Sequence, residues 1–282
     1  MTNMTWLSTF IRNINRPTPK RDAPESHHNP PECILTIWRK SNLSDGWQEA
    51  LDGFQALSVK IVDGDDLFRT AEAKDLFSEC RKMGLEPHGW GFHYCRTLDE
   101  AQSEAETVAA ALKQHGINKY HWNAEKHWAG ASNPVEAARK FVGVLRAAAP
   151  DVVLYANCFH KYMSPEVVEA FDIMEPMCYG TKISTIERHW KKRVGTMPPE
   201  KRGVMCGTGR MEKGRSSRAW GYLNSKRGNA GLVELTNTYS PVSVNWFRAG
   251  VISGQDMALE PNDVNPVLSE QAKAVRSCQS NA

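Results

Sequence analysis

From Cys33 onward, short β-rich runs alternate with longer amphipathic patterns of helical period, and few folds accommodate that alternation. Eight such runs follow one another: Ile34–Trp38, Leu57–Gly64, Pro87–Cys95, Lys119–Glu125, Val152–Cys158, Ile173–Gly180, Gly203–Gly209 and Pro241–Phe247. Between them the clearest helical patterns are Thr70–Gly84, Thr97–Gly116 and Asn133–Pro150, two closed by a glycine and one by a proline. A strand followed by a helix and then another strand is a crossover unit, so eight in series predict a parallel sheet. Closed on itself, that sheet is an α/β fold of one (β/α)8 barrel, the TIM barrel, whose usual size of roughly 250 residues suits a chain of 282. The barrel is expected over residues 33–282. An extended N-terminal arm, residues 1–32, precedes it, because 16–32 combine five prolines with polar residues and no period. An open doubly wound sheet is disfavoured: no strand runs into a Gly-x-Gly-x-x-Gly turn, and the stretch at Cys206–Gly214 lacks the third glycine where it is needed.

Thirty-five basic and 32 acidic residues leave a formal charge of +3, too small a bias to nominate nucleic acid as a partner. Seven cysteines without a C-x-x-C pair indicate neither a disulfide framework nor a zinc ribbon, so most are expected to be reduced and structural. In the first 29 residues Trp6, Leu7, Phe10 and Ile11 are interrupted by Arg12 and Asn15, so there is no apolar core of a Sec signal. No run approaches the 18 or so apolar residues that span a bilayer. The expectation is a soluble protein, cytoplasmic or released by a route other than Sec, with no membrane partner.

Catalytic groups of such barrels project from the carboxyl ends of the strands. Period-two alternation puts His121, Asn123 and Glu125 on one face of the fourth strand, and Glu175, Met177 and Tyr179 on one face of the sixth. A charge facing a barrel interior is costly without a partner or a task, which makes Glu125 the leading catalytic candidate. The bland alternative is an ion pair with Lys126 or with an arginine across the mouth. Glu175 is either a second acid or an acceptor beneath the site. Aromatic residues crowd the strand ends and suit the C–H faces of pyranose rings, although Phe92 and Tyr155 are expected merely to fill the barrel. The substrate-binding candidates are Trp38, Asp63, Trp90, Tyr94, Trp122, Asn157 and Trp246.

Other chemistries fit less well. The histidines invite a metal, but the first strand reads LTIWRK rather than His-x-His, so no metal and no cofactor is expected, and His93 and His121 read as hydrogen-bonded wall residues. Nothing marks Cys95 or Cys158 as a lowered-pKa nucleophile. Lys182–Arg227 is dense in Lys and Arg against only Glu187, Glu200 and Glu212, a flank that would attract an anionic polymer or simply be solvated. Gly207–Gly231, rich in Gly and Ser, reads as a βα loop over the mouth.

The strand order, the third-strand run Gly91-Phe92-His93-Tyr94, the fourth-strand Asn123-x-Glu125 and the sixth-strand Met177-x-Tyr179 resemble barrel glycoside hydrolases that cleave N-acetylhexosamine polymers. Family 25 lysozymes are similar over strands two to six. Chitinase-like and endo-N-acetylglucosaminidase barrels are similar through Asp-x-Glu or Asn-x-Glu on strand four and a tyrosine from strand six. The resemblance implies a glycosidase acting on a polysaccharide, peptidoglycan foremost as an anionic cell wall, with Glu125 as general acid/base and Tyr179 beside it. This chain departs from the lysozymes in carrying Asn123 where they have an acid, and in lacking their first-strand aspartate. A substrate-assisted route is compatible with those departures, since the 2-acetamido oxygen can attack the anomeric carbon while Asn123 orients it. The alternative is a carbohydrate-binding barrel that has lost catalysis.

Overall fold

A computed structural model of the protein describes residues 30–38, 40, 47–158, 162–179, 183–207, 226–247 and 265–277. Among them eight parallel strands form a nearly closed barrel: β1 (Glu32–Ile37), β2 (Ala56–Asp63), β3 (Glu86–His93), β4 (Lys119–Ala124), β5 (Val153–Asn157), β6 (Ile173–Met174), β7 (Gly203–Gly207) and β8 (Ser243–Phe247). Each pairs with its sequence neighbour from β1 to β6, β7 pairs with β8, and β8 returns to β1. Single bridges Met174↔Arg202 and Met177↔Met205 join β6 to β7. A two-residue strand, Asp66–Leu67, folds back antiparallel on β2.

The sixth strand is far shorter than its sequence pattern predicts. Pro176 has no N–H for the ladder, so the segment beyond Met174 is held by scattered bonds. Glu175 N–H donates to Ala156, Met177 N–H to Cys158, and Met205 N–H to the Pro176 carbonyl.

Helices α1 (Thr70–Lys82), α2 (Leu98–His115), α3 (Pro134–Ala148), α4 (Pro165–Ala170), α5 (Ile183–His189), α6 (Lys226–Tyr239) and α7 (Asn265–Ser277) alternate with the strands, and a π turn (Trp190–Val194) extends α5. Their termini follow the chemistry of the sequence. The Thr97 hydroxyl accepts the Glu100 N–H at the start of α2, Pro134 opens α3, and Gly84 and Gly116 take the left-handed φ of 71° and 61° that glycine tolerates. Helix α6 begins at Lys226, so the predicted loop Gly207–Gly231 ends at least five residues early; residues 208–225 lie outside the described residues, as do 1–29 of the arm.

Strand parity divides the side chains. Odd positions of β4 and β6 point inward, where Ile34, Ala56 and Tyr155 pack as an apolar layer at the amino-terminal end. Outward residues meet the helices: Tyr120, Trp122, Phe141, Phe171 and Trp246 belong to the main core cluster. Six cysteines, Cys33, Cys80, Cys95, Cys158, Cys178 and Cys206, are free and buried, and Cys278 lies outside the described residues.

Candidate active site

Glu125 directly follows the last residue of β4, at the carboxyl end of the barrel. It is half-buried. Burial raises its carboxyl above the ordinary value while the Lys126 ammonium pulls the other way, and no ion pair with Lys126 forms among the described residues. A carboxyl so placed is more readily protonated near neutrality than a solvated one, as a general acid requires. Two residues below it, Asn123 is 6% exposed and its Oδ1 is buried without a hydrogen-bond partner among the described residues. A buried amide oxygen left unbonded is costly and is a ready acceptor for a ligand N–H.

Aromatic and thioether groups wall the mouth above the barrel axis. Trp90, Met177, Met205 and Phe247 form a cluster with Trp38, Phe92 and Tyr179 against it. Trp38 and Trp90 meet edge-to-face at 5.6 Å, Phe247 lies edge-on to Trp90 at 5.9 Å, and Tyr179 stacks on Phe247 at 6.3 Å. The Trp90 indole N–H donates to the Ile37 carbonyl at 2.7 Å, which fixes its ring. The Tyr179 hydroxyl donates to Met205 Sδ at 3.1 Å. Burial pushes that hydroxyl well up, and the neighbouring Glu125 charge adds to it. Lys60 points inward from β2, its ammonium 4.4 Å from the Trp38 ring centre and 2.9 Å from the Asp63 carboxylate.

One carboxylate sets the loop after β3. Glu104, on the buried face of α2, accepts from the backbone N–H groups of Tyr94 and Cys95, from His93 Nδ1 at 2.7 Å and from the Cys95 thiol. Cys95 is thereby held at a φ of 41°, a left-handed conformation that a side chain resists. Tyr94 is left half-exposed at the rim, beside a cavity of about 450 Å³ lined by Asp63, Asp65, Asp66, Phe68, Arg96 and Glu100.

Glu175 is placed differently from Glu125. It is 0% exposed, and its carboxylate accepts from His121 Nδ1 at 3.0 Å, Asn157 Nδ2 at 2.7 Å, Ser243 Oγ at 2.7 Å and Asn245 Nδ2 at 3.0 Å. It is therefore an acceptor on the barrel axis beneath the mouth, and Asn157, expected to touch substrate, spends its amide N–H on it. Burial alone would raise the Glu175 carboxyl, but His121 and the other donors outweigh it and hold it below the ordinary range.

Two of the expected stacking residues face away from the site. Trp122 and Trp246 are fully buried on the outer surface of the sheet, Trp122 stacked on Phe171 at 5.0 Å and Trp246 donating to Gln271 at 2.9 Å. Their parity is opposite to that of Asn123 and Asn245, so neither can offer a ring to a ligand in the mouth. Phe247 stands where Trp246 was expected. Phe92, expected as filling, is half-exposed in the mouth, whereas Tyr155 is buried filling. His93 and His121 are hydrogen-bonded wall residues, on opposite faces.

Two groups could offer several ligand atoms to a cation, His93 with Cys95 and Glu104, and Glu32 with Glu86 and His88. Glu104 is already engaged by the loop, and the Lys119 ammonium bridges Glu32 and Glu86 at 2.7 Å to each. No helix among the described residues is long and apolar enough to cross a membrane.

A (β/α)8 barrel with a half-buried acid at the end of its fourth strand and an aromatic mouth is the class that the fold and site define. No family model matches the chain, and no curated protein sequence matches it. Solved structures do. A GH18 chitinase from Pseudoalteromonas aurantia aligns with a TM-score of 0.62 at 11% identity, over 88% of this chain and 99% of that one. An endo-β-N-acetylglucosaminidase from Cordyceps militaris aligns at 0.60 and 12% identity, over 98% and 97%. A chitinase from Rhizomucor miehei aligns at 0.58 and 10% identity, over 85% and 99%. At such identities the likeness is one of fold, and the neighbours that share it are glycoside hydrolases.

Proposed function

We propose that the protein is a glycosidase that cleaves a polymer containing N-acetylhexosamine, with Glu125 as general acid/base and Asn123 as the residue that holds the 2-acetamido group. The observation that carries this reading is the pairing of two features on one strand face: a carboxyl raised by burial and an amide oxygen without a partner one layer below it. Glu175 is sealed off and Asp63 is paired with Lys60, so among the described residues neither is free to act as a second acid beside Glu125. A route in which the substrate's own acetamide attacks the anomeric carbon needs none. Tyr179 stands close enough to Glu125 for its hydroxyl to feel that charge, and the half-exposed Trp38 and Phe92 provide flat surfaces for sugar rings, with Trp90 and Phe247 packed behind them. The neighbours named as chitinases and endo-β-N-acetylglucosaminidase support the same substrate class. Peptidoglycan is the particular polymer favoured by the exposed Arg188, Lys191 and Lys192 near α5.

The test is to incubate the protein with chitin oligomers, with their de-N-acetylated counterparts and with purified peptidoglycan, and to weigh the products. Cleavage confined to N-acetylated substrates is expected; cleavage of de-N-acetylated oligomers at a similar rate would remove Asn123 and the acetamide from the mechanism. A second reading, a carbohydrate-binding barrel without hydrolysis, is favoured by the neutral side chain at position 123. It predicts sugar binding with no product.

A further inference from the structure

The interior of this barrel holds an ionised carboxylate that no substrate can touch. Four donors from three strands, His121 on β4, Asn157 on β5, and Ser243 and Asn245 on β8, converge on Glu175 at 2.7–3.0 Å. The barrel makes room for it at Gly203, where an added Cβ would come within 2.9 Å of Glu175 Cγ and 2.5 Å of Ser243 Oγ. Enclosing a charge costs several kcal/mol unless it is fully hydrogen-bonded, and an apolar residue would fill the space without that cost.

Two histidines link Glu175 to the carboxylates at the amino-terminal end of the barrel. His121 Nδ1 faces Glu175 and its Nε2 faces His88 Nδ1 at 2.9 Å, while His88 Nε2 lies 3.4 Å from Glu32. Burial lowers the affinity of His121 for a second proton; His88 is also penalised by burial, but Glu32 and Glu86 outweigh this and raise it. His121 Nδ1 faces Glu175, while His88 faces the carboxylates of the amino-terminal end. Lys119 is likewise engaged with Glu32 and Glu86 at the amino-terminal end. Tyr155, stacked on His121, carries a neutral hydroxyl.

Glu175 lies at the level of His121, two residues or about 6.6 Å of strand below Asn123. Position 123 is where a carboxylate would stabilise positive charge developing on the sugar, and here it is a neutral amide. Resting on the glycosidase reading above, we propose that Glu175 is a positioning residue for that reaction: its buried anion supplies, from beneath Asn123, the negative field that favours a cationic sugar in the mouth. Its carboxylate accepts from Asn157, the register partner of Asn123 on β5, so it stands next to that level. Two opposite charges roughly 8 Å apart in a medium of effective dielectric about 20 correspond to on the order of tenfold to thirtyfold in affinity.

The probes are a 2-acetamido iminosugar, cationic at neutral pH, and its uncharged lactam counterpart, with binding of each to the full-length protein measured by calorimetry. The parent should prefer the cation by about tenfold or more. The preference should persist in Glu125→Gln, which removes the mouth's own carboxylate, and in Glu175→Asp. It should fall to parity in Glu125→Gln/Glu175→Gln, and Asn123→Asp added to that pair should restore it by moving the charge up one layer. A purely structural Glu175 would weaken both probes alike and would not be rescued from position 123. Should Glu175→Gln fail to fold, the Glu125→Gln protein still decides, because loss of the preference there overturns the proposal. If both probes bind and Glu125→Gln/Glu175→Gln keeps the preference, the proposal fails while the glycosidase reading stands; if neither binds the parent, both fall.

Discussion

Glu104→Ala should damage the protein more than any other single truncation of a surface-helix carboxylate, because of what it leaves behind. The backbone N–H groups of Tyr94 and Cys95 and the imidazole of His93 all lose their acceptor, and those of Cys95 and His93 are buried. Each buried donor left unsatisfied costs about 1–3 kcal/mol, so the two buried ones total roughly 2–6 kcal/mol, a large part of the 5–15 kcal/mol that typically separates folded from unfolded. The left-handed Cys95 adds about 1 kcal/mol of its own once nothing holds it, so Cys95→Gly in the same background should recover part of the loss. The sign of the pH dependence follows as well. Burial raises the Glu104 carboxyl, but His93 and the Cys95 groups outweigh this and set it below the ordinary range. A depressed folded value means that its contribution is complete above the unfolded value, near 4.3, and disappears as pH falls through the folded one. The assay is urea unfolding of parent, single and double variants at pH 7 and at pH 4. A loss below about 1 kcal/mol at pH 7, or no recovery from Cys95→Gly, would refute the anchoring of this loop by Glu104.

Two further outcomes are expected. Trp122→Ala should cost about 3–5 kcal/mol of stability as a core truncation while leaving sugar affinity per folded molecule unchanged, whereas Trp38→Ala, at the half-exposed ring of the mouth, should weaken binding; titration of a chitin oligomer beside unfolding curves checks both. Lys126→Glu replaces a cation that opposes the upward displacement of Glu125 with an anion, so the alkaline limb of kcat/KM, which reports loss of the general acid's proton, should move to higher pH in rate profiles.

Much of this was legible in the chain because β and helical periods differ, and a parallel barrel repeats both. The places that were not legible have physical causes. Strand β6 looked continuous because Ile173–Gly180 is apolar apart from Glu175, yet one missing N–H at Pro176 breaks its ladder. Trp122 and Trp246 lay near strand ends, but both surfaces of the sheet are buried here, so position along a strand says nothing of direction. Parity does: Trp122 alternates with Asn123, and counting from Glu125 would have turned it outward. The partners of Glu175 come from β4, β5 and β8, distant in sequence, and only closure of the barrel brings them together. Lys60 lies on the inward face of β2 beside Ser58 and could have been found by the same parity.

The central claim is that Glu125 delivers a proton to the leaving oxygen of an N-acetylhexosaminide. Glu125→Gln keeps the shape of the side chain and removes the transferable proton, and general acid catalysis is worth about 10² to 10⁴ in rate. Turnover of an N-acetylated chitin oligomer by parent and Glu125→Gln, with oligomer affinity determined on the same preparations, is the direct measurement. A fall in kcat of at least about a hundredfold with affinity retained is the predicted result; turnover within a few fold of the parent would contradict it.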